Sequence, residues 1–195
     1  MSTSIRAARV IRVITVPPVM AAWLILALWF GQNAIVRTAS EAALSIVFLS
    51  LLPLLAYPIA AVVPPLRRKG RDGQRNMAFA LSLAGYIAGW AYARFFSESR
   101  TLLFIFGVYV FAVVLLLFFN KVLRLRASGH ACSVSGPILV ICFVLRGWWL
   151  PFCLAVFGLS FWSSVKAGRH TIGEYLLGAL CVVLAIGASW VVYMR

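Results

Sequence analysis

The chain has two histidines, His130 and His170, and both stand in short polar loops between hydrophobic runs. His130 closes Ala127-Ser128-Gly129-His130, and His170 opens His170-Thr171-Ile172-Gly173-Glu174. An imidazole can act as a nucleophile or move protons near neutral pH. His170 and Glu174 are four residues apart, so on a helix opening here they share a face. The carboxylate would accept from one ring nitrogen, fix the tautomer and leave the other nitrogen free. Ser128-Gly129, just before a hydrophobic run, offers a hydroxyl and approachable backbone N–H groups, a small cradle for an anion. A third loop, 64–76, is rich in arginine, whose guanidinium clamps phosphate oxygens in pairs. An anion site with one oriented histidine and a second histidine suits phosphoryl transfer through a covalent phosphohistidine, with no metal and no other cofactor.

The elements that must hold these loops are membrane helices. The chain has 195 residues, of which 64% are hydrophobic and 11% charged. A soluble domain of this size has no way to bury so much apolar surface. The sequence predicts an all-α, polytopic transmembrane bundle of about six to seven membrane segments, a single domain over 1–195 with its motif-bearing core in 64–190. Seven hydrophobic runs lie near 14–31, 41–63, 77–95, 101–120, 131–146, 148–163 and 171–193. The first follows Arg6, Arg9 and Arg12 and lacks a small-residue cleavage site, so it reads as a span and not as a signal peptide. The fifth and sixth runs meet at Arg146-Gly147-Trp148-Trp149, a tight hairpin with interfacial tryptophans. Pro17-Pro18, Pro53, Pro58 and Pro151 are expected to kink helices. The aromatic runs Phe104-Ile105-Phe106 and Phe118-Phe119 read as lipid-facing or packing residues. Cys132, Cys142, Cys153 and Cys181 are dispersed, with neither disulfide nor metal-ligand spacing.

The net charge of +14 comes from 18 Lys and Arg against Glu41, Asp72, Glu98 and Glu174. The basic residues occupy short interhelical loops, so the expected partners are anionic lipid head groups and not nucleic acid. Seven crossings put the N-terminus and the loops near 64–76, 121–130 and 163–170 on one face. That face holds Arg6, Arg9, Arg12, Arg67, Arg68, Lys69, Arg71, Arg75, Lys121, Arg124, Arg126, Lys166 and Arg169. The other holds only Arg37, Arg94, Arg100, Arg146 and Arg195. The positive-inside rule makes the first face cytoplasmic, in a multi-pass protein of the cell (inner) membrane. Taken one at a time, these features also have plainer readings. A basic loop is most often a topology signal, and a His–Glu pair can be a structural hydrogen bond.

The three loops together resemble the type 2 phosphatidic acid phosphatase superfamily, the membrane lipid phosphate phosphatases that share their site with vanadium haloperoxidases. That family's pattern is K-x6-R-P, then P-S-G-H, then S-R-x5-H-x3-D. Here the second motif stands as Ala127-Ser128-Gly129-His130. The third stands as Ser163-Ser164, five residues, His170, three residues, Glu174, with Gly178 following. The first is looser, with Arg68, six residues, then Arg75-Asn76; Lys69 is one position out of register. The resemblance covers about residues 64 to 190. It implies His170 as nucleophile, Glu174 as its orienter and His130 as the acid that protonates the leaving oxygen. Arg68, Lys69, Arg75, Ser128 and Gly129 would hold the phosphate. One departure stands out: the family's arginine after the motif serine is Ser164. Lys166 would substitute if the last helix extends back that far, one turn before His170, while Arg169 would point about 100° away toward lipid head groups. The activity implied is hydrolysis of a lipid phosphate monoester or diphosphate, with polyprenyl (di)phosphate, phosphatidate and phosphatidylglycerophosphate all open. A lipid phosphotransferase and a non-catalytic lipid-binding or transport protein are the alternatives.

Overall fold

Residues 3–31, 35–145 and 149–193 are described by a computed structural model, and all their regular structure is helical. The helices are α1 (Thr3–Ile14), α2 (Pro17–Gly31), α3 (Ala39–Val62), α4 (Pro64–Arg68), α5 (Gly70–Phe96), α6 (Arg100–Val122), α7 (Gly129–Leu145), α8 (Leu150–Lys166) and α9 (Ile172–Tyr193). Each hydrophobic run of the sequence is thus a helix. Three of them, α3, α6 and α9, are long and apolar enough to cross a membrane. The pair α1–α2, bent by 57°, would make a fourth if it is one span.

The prolines act differently from expectation at two places. Pro17 and Pro18 open α2, and Pro151 lies in the first turn of α8. A missing N–H costs nothing in a first turn, so these prolines start helices and do not kink them. Pro53 and Pro58 lie in α3, which contains a π-helical turn at Val47–Leu51. Pro137 sits inside α7. The expected hairpin at Arg146-Gly147-Trp148 lies outside the described residues. Its neighbour Trp149 packs edge-on against Trp23 with ring centres 6.4 Å apart.

Helices α6 and α9 form the central pair. A Cβ at Gly107 would run into Ser189 and Tyr193, so glycine there lets the two backbones close. The Ser189 hydroxyl donates to the Phe104 carbonyl oxygen at 2.8 Å across the same contact. Both features are common where membrane helices pack by small residues and interhelical hydrogen bonds. Helix α5 covers the other side of α6 and is itself backed by α3. Helix α7 lies beside α9, with α2 and α8 on its flanks, and α1 packs against α8. Phe104, Ile105 and Phe106 are fully buried in this core with Leu24, Ile25 and Ile141, whereas Phe118 is exposed. At the end of the bundle away from the histidines, the buried Glu41 carboxylate accepts from the Arg37 N–H and the Ser97 hydroxyl, each at 2.7 Å.

Candidate active site

The loop before α7 is tied down before it reaches His130. Asn120, at the end of α6, donates from its amide to the Ala127 carbonyl oxygen at 3.1 Å. Ser128 then caps α7, its hydroxyl accepting from the Ala131 N–H at 3.1 Å. The Ser128 N–H donates to the Glu174 carbonyl oxygen at 2.9 Å, which joins the starts of α7 and α9. Gly178 faces the Ser128 carbonyl so closely that no Cβ fits there. The groups of Ser128 expected to cradle an anion are therefore largely spent on structure.

The loop between α8 and α9 orients His170. Thr171 and Glu174 form a reciprocal capping box. The Thr171 hydroxyl accepts from the Glu174 N–H at 3.2 Å, and the carboxylate accepts from the Thr171 N–H at 3.2 Å. The same carboxylate oxygen lies 3.2 Å from His170 Nδ1, and its other oxygen lies 3.5 Å from Arg126. An ionised carboxylate can only accept, so Nδ1 carries the proton and Nε2 keeps its lone pair. Burial lowers the His170 pKa. Glu174 opposes this, while the charges of Arg12 and Arg126 add to it. His170 is thus a neutral imidazole with a free nitrogen, as a nucleophile needs.

His130 is set deeper. Its Nε2 lies 3.3 Å from both the Thr15 and the Ser160 hydroxyls, and the Tyr175 hydroxyl donates to Ser160 at 2.9 Å. Thr15 already donates its proton to the Ile11 carbonyl oxygen at 2.7 Å, so it accepts from His130, and this favours the Nε2–H tautomer. Arg12 and His170 both lie close enough to act on this ring electrostatically.

Both rings line a cavity of about 1150 Å³. From the residues singled out in the sequence it gathers Arg75, Gly129, His130, Lys166 and His170. Arg68 and Lys69 are exposed and outside its wall, and buried Ser128 lies behind it. Arg75 is half held by Asp72, 3.5 Å away. From Asn120 the wall runs back along α6 through Leu116, Val113 and Tyr109 to Val108, a depth of about 18 Å at 1.5 Å per residue. The cavity therefore has a cationic end at the loops and a largely apolar arm between α5, α6 and α7, closed by Val182 of α9. Among the described residues, no three His, Cys, Asp or Glu side chains cluster so as to hold a metal.

The helical premise for Lys166 does not hold. α8 stops in a Schellman motif: the Gly168 N–H donates to the Val165 carbonyl oxygen at 3.0 Å, and the Arg169 N–H to that of Ser164 at 3.1 Å. Gly168 sits at φ +62°, the left-handed conformation that ends the helix. Lys166 and His170 are therefore not one turn apart on a common helix. Both Lys166 and Arg169 line the cavity, so Arg169 is not turned away from it. Sequence reasoning also missed Arg12, Thr15, Ser160 and Tyr175. Arg12 carried only a topology signal, and the other three are ordinary helix or linker residues that become partners of the histidine site through packing. Comparison of the chain with protein-family models, with curated proteins and with solved structures returns no match.

Proposed function

We propose that this chain is a multi-pass membrane phosphatase that hydrolyses a lipid phosphate monoester or diphosphate without a metal. The observation that carries the reading is His170, held through Nδ1 by Glu174 with Nε2 free, on a cavity that joins a cationic end to an apolar arm. Such a cavity suits an amphiphile whose charged head meets Arg75, Lys166 and Arg169 while its chain lies against α5 and α6. In the first step, His170 Nε2 forms a bond to phosphorus, the bond from phosphorus to the lipid oxygen breaks, and that oxygen takes a proton from His130. In the second, a water attacks phosphorus, its proton returns to His130 and the nitrogen–phosphorus bond breaks. A phosphate dianion in the cavity offsets the charge of Arg12 and so favours the charged ring that gives this proton.

The proposed topology takes α2, α3, α5, α6, α7, α8 and α9 as the crossing segments, with the site at the cytoplasmic interface. At 17 residues each, α7 and α8 are at the short end of the spanning range. The basic excess of the loops supports the orientation.

The test is vanadate-sensitive phosphate release in detergent, with a chelator present, over a panel of short-chain polyprenyl and glycerolipid phosphates. His170→Ala should abolish it, a loss of roughly 4–8 kcal/mol in barrier. Activity of the variant within tenfold of the parent removes His170 from the mechanism. A second reading, a non-catalytic lipid-phosphate binder, is favoured by Ser164, whose hydroxyl is buried without a partner where the family carries arginine. Its signature is saturable binding of the same panel with no phosphate released.

A further inference from the structure

The amphipathic N-terminal helix belongs to the site. We propose that Arg12 of α1 is the guanidinium that grips the tetrahedral oxyanion in this cavity, in place of the arginine missing at Ser164. The proposal rests on the phosphatase reading for the identity of the substrate, but the anion site itself is argued from geometry.

Three observations converge on Arg12. It lines the cavity, and its Nη1 is buried with no hydrogen-bond partner. Buried guanidinium N–H groups are almost always paired, because leaving one unpaired forfeits its hydration with nothing in exchange. Among the described residues no carboxylate ion-pairs with Arg12; Arg169 and Arg71 repel it, and the favourable influence comes from the Tyr175 hydroxyl. A half-buried cation facing other cations makes a cleft of one sign, which attracts an anion. Finally, the helical turn continues past α1 through the bond from the Thr15 N–H to the Ile11 carbonyl oxygen at 3.0 Å. Thr15 is therefore one turn from Arg12 on the same face, and Thr15 lies 3.3 Å from His130 Nε2. Arg12 also lies close enough to both His130 and His170 for its charge to act on each. The guanidinium thus stands on the cavity beside the two rings that would flank the phosphorus. A planar fork there can hold two of the equatorial oxygens, the part of the site where charge concentrates during transfer.

The experiment measures the thermal stabilisation of detergent-solubilised parent, Arg12→Gln, Arg12→Lys and Arg6→Gln by orthovanadate, with a short-chain lipid phosphate as a parallel arm. Stabilisation by a ligand reads binding without requiring turnover. Arg12→Gln should weaken orthovanadate binding roughly 10- to 100-fold, as for a lost charged hydrogen bond. Arg12→Lys should fall between it and the parent, because the charge remains and the fork is lost. Arg6→Gln, on the exposed face of the same helix, should bind like the parent. If the lipid arm gives tighter binding than orthovanadate alone, the apolar arm contributes and the natural anion is a lipid headgroup; equal affinities point to a free oxyanion. Arg12→Gln binding orthovanadate as tightly as the parent overturns the inference and leaves the phosphatase reading standing. So does an equal loss in Arg6→Gln, which would show only a general field. A parent that neither binds orthovanadate nor releases phosphate overturns both. Where Arg12→Gln gives no folded protein, Arg12→Lys decides, and unaltered affinity there refutes the fork.

Discussion

Replacing Glu174 by Gln separates the two jobs this residue does. Gln keeps an oxygen for the Thr171 N–H, so the capping box survives and α9 should start as before. What is lost is the negative charge 3.2 Å from His170 Nδ1. In the proposed mechanism the ring becomes cationic as the bond from Nε2 to phosphorus forms, and that charge is where the carboxylate would act. Two unit charges 3.2 Å apart interact by about 1.3 kcal/mol at the dielectric of water and about 5 kcal/mol at an effective dielectric of 20. The side chains of His170 and Glu174 are 21% and 17% exposed, which places the pair between those limits. Arg126, 3.5 Å from the other oxygen and mostly exposed, already takes part of the field. The loss should therefore be roughly 2–3 kcal/mol, or about 30- to 150-fold in kcat, with little change in KM. The assay is phosphate release at saturating short-chain lipid phosphate, alongside thermal unfolding of parent and variant. A variant that keeps kcat within threefold while His170→Ala is inactive would refute the reasoning and reduce Glu174 to a helix cap.

His170 should leave a mark on stability against pH. Burial holds its folded pKa below the unfolded value of about 6.5, so the unfolded state binds more protons as pH falls. Its contribution is complete above about pH 6.5 and is lost as pH falls through the depressed folded value. Thermal unfolding from about pH 7.5 to 4 should show the parent's Tm falling more steeply than that of His170→Gln, and parallel curves would contradict the burial argument. Gly178→Ala forces a methyl group onto the Ser128 carbonyl, parting the starts of α7 and α9; a loss of about 1–3 kcal/mol is expected for overpacking, and an unchanged Tm would mean that the contact gives way easily. For orientation, single cysteines at Gly70 and Ser97 in a cysteine-free background should react with an impermeant maleimide in intact cells at Ser97 and not at Gly70, and the opposite result would put the site outside.

The hydropathy of the chain was enough to specify an all-helical protein and to locate the helices that carry its seven hydrophobic runs, though not α1 or α4, because apolar length is a property of the sequence alone. Local spacing likewise carried the pairing of His170 with Glu174, since four residues along a helix bring side chains together in any context. The bent α1–α2 pair, the Schellman stop at Gly168, the reach of Arg12 into the cavity and the contact of Thr15 with His130 were not legible. Arg12 and His130 are more than a hundred residues apart, and no local pattern records that α1 packs on α8. Ser128, Arg68 and Lys69 show the converse. Their types suit a phosphate, yet capping and exposure decide what each one touches. Residue type and short-range spacing determined which chemical groups the loops carry. Which side chains share the cavity was decided only by the packing of helices distant in sequence, because contacts between such helices depend on the whole bundle and leave no periodic trace in any single segment.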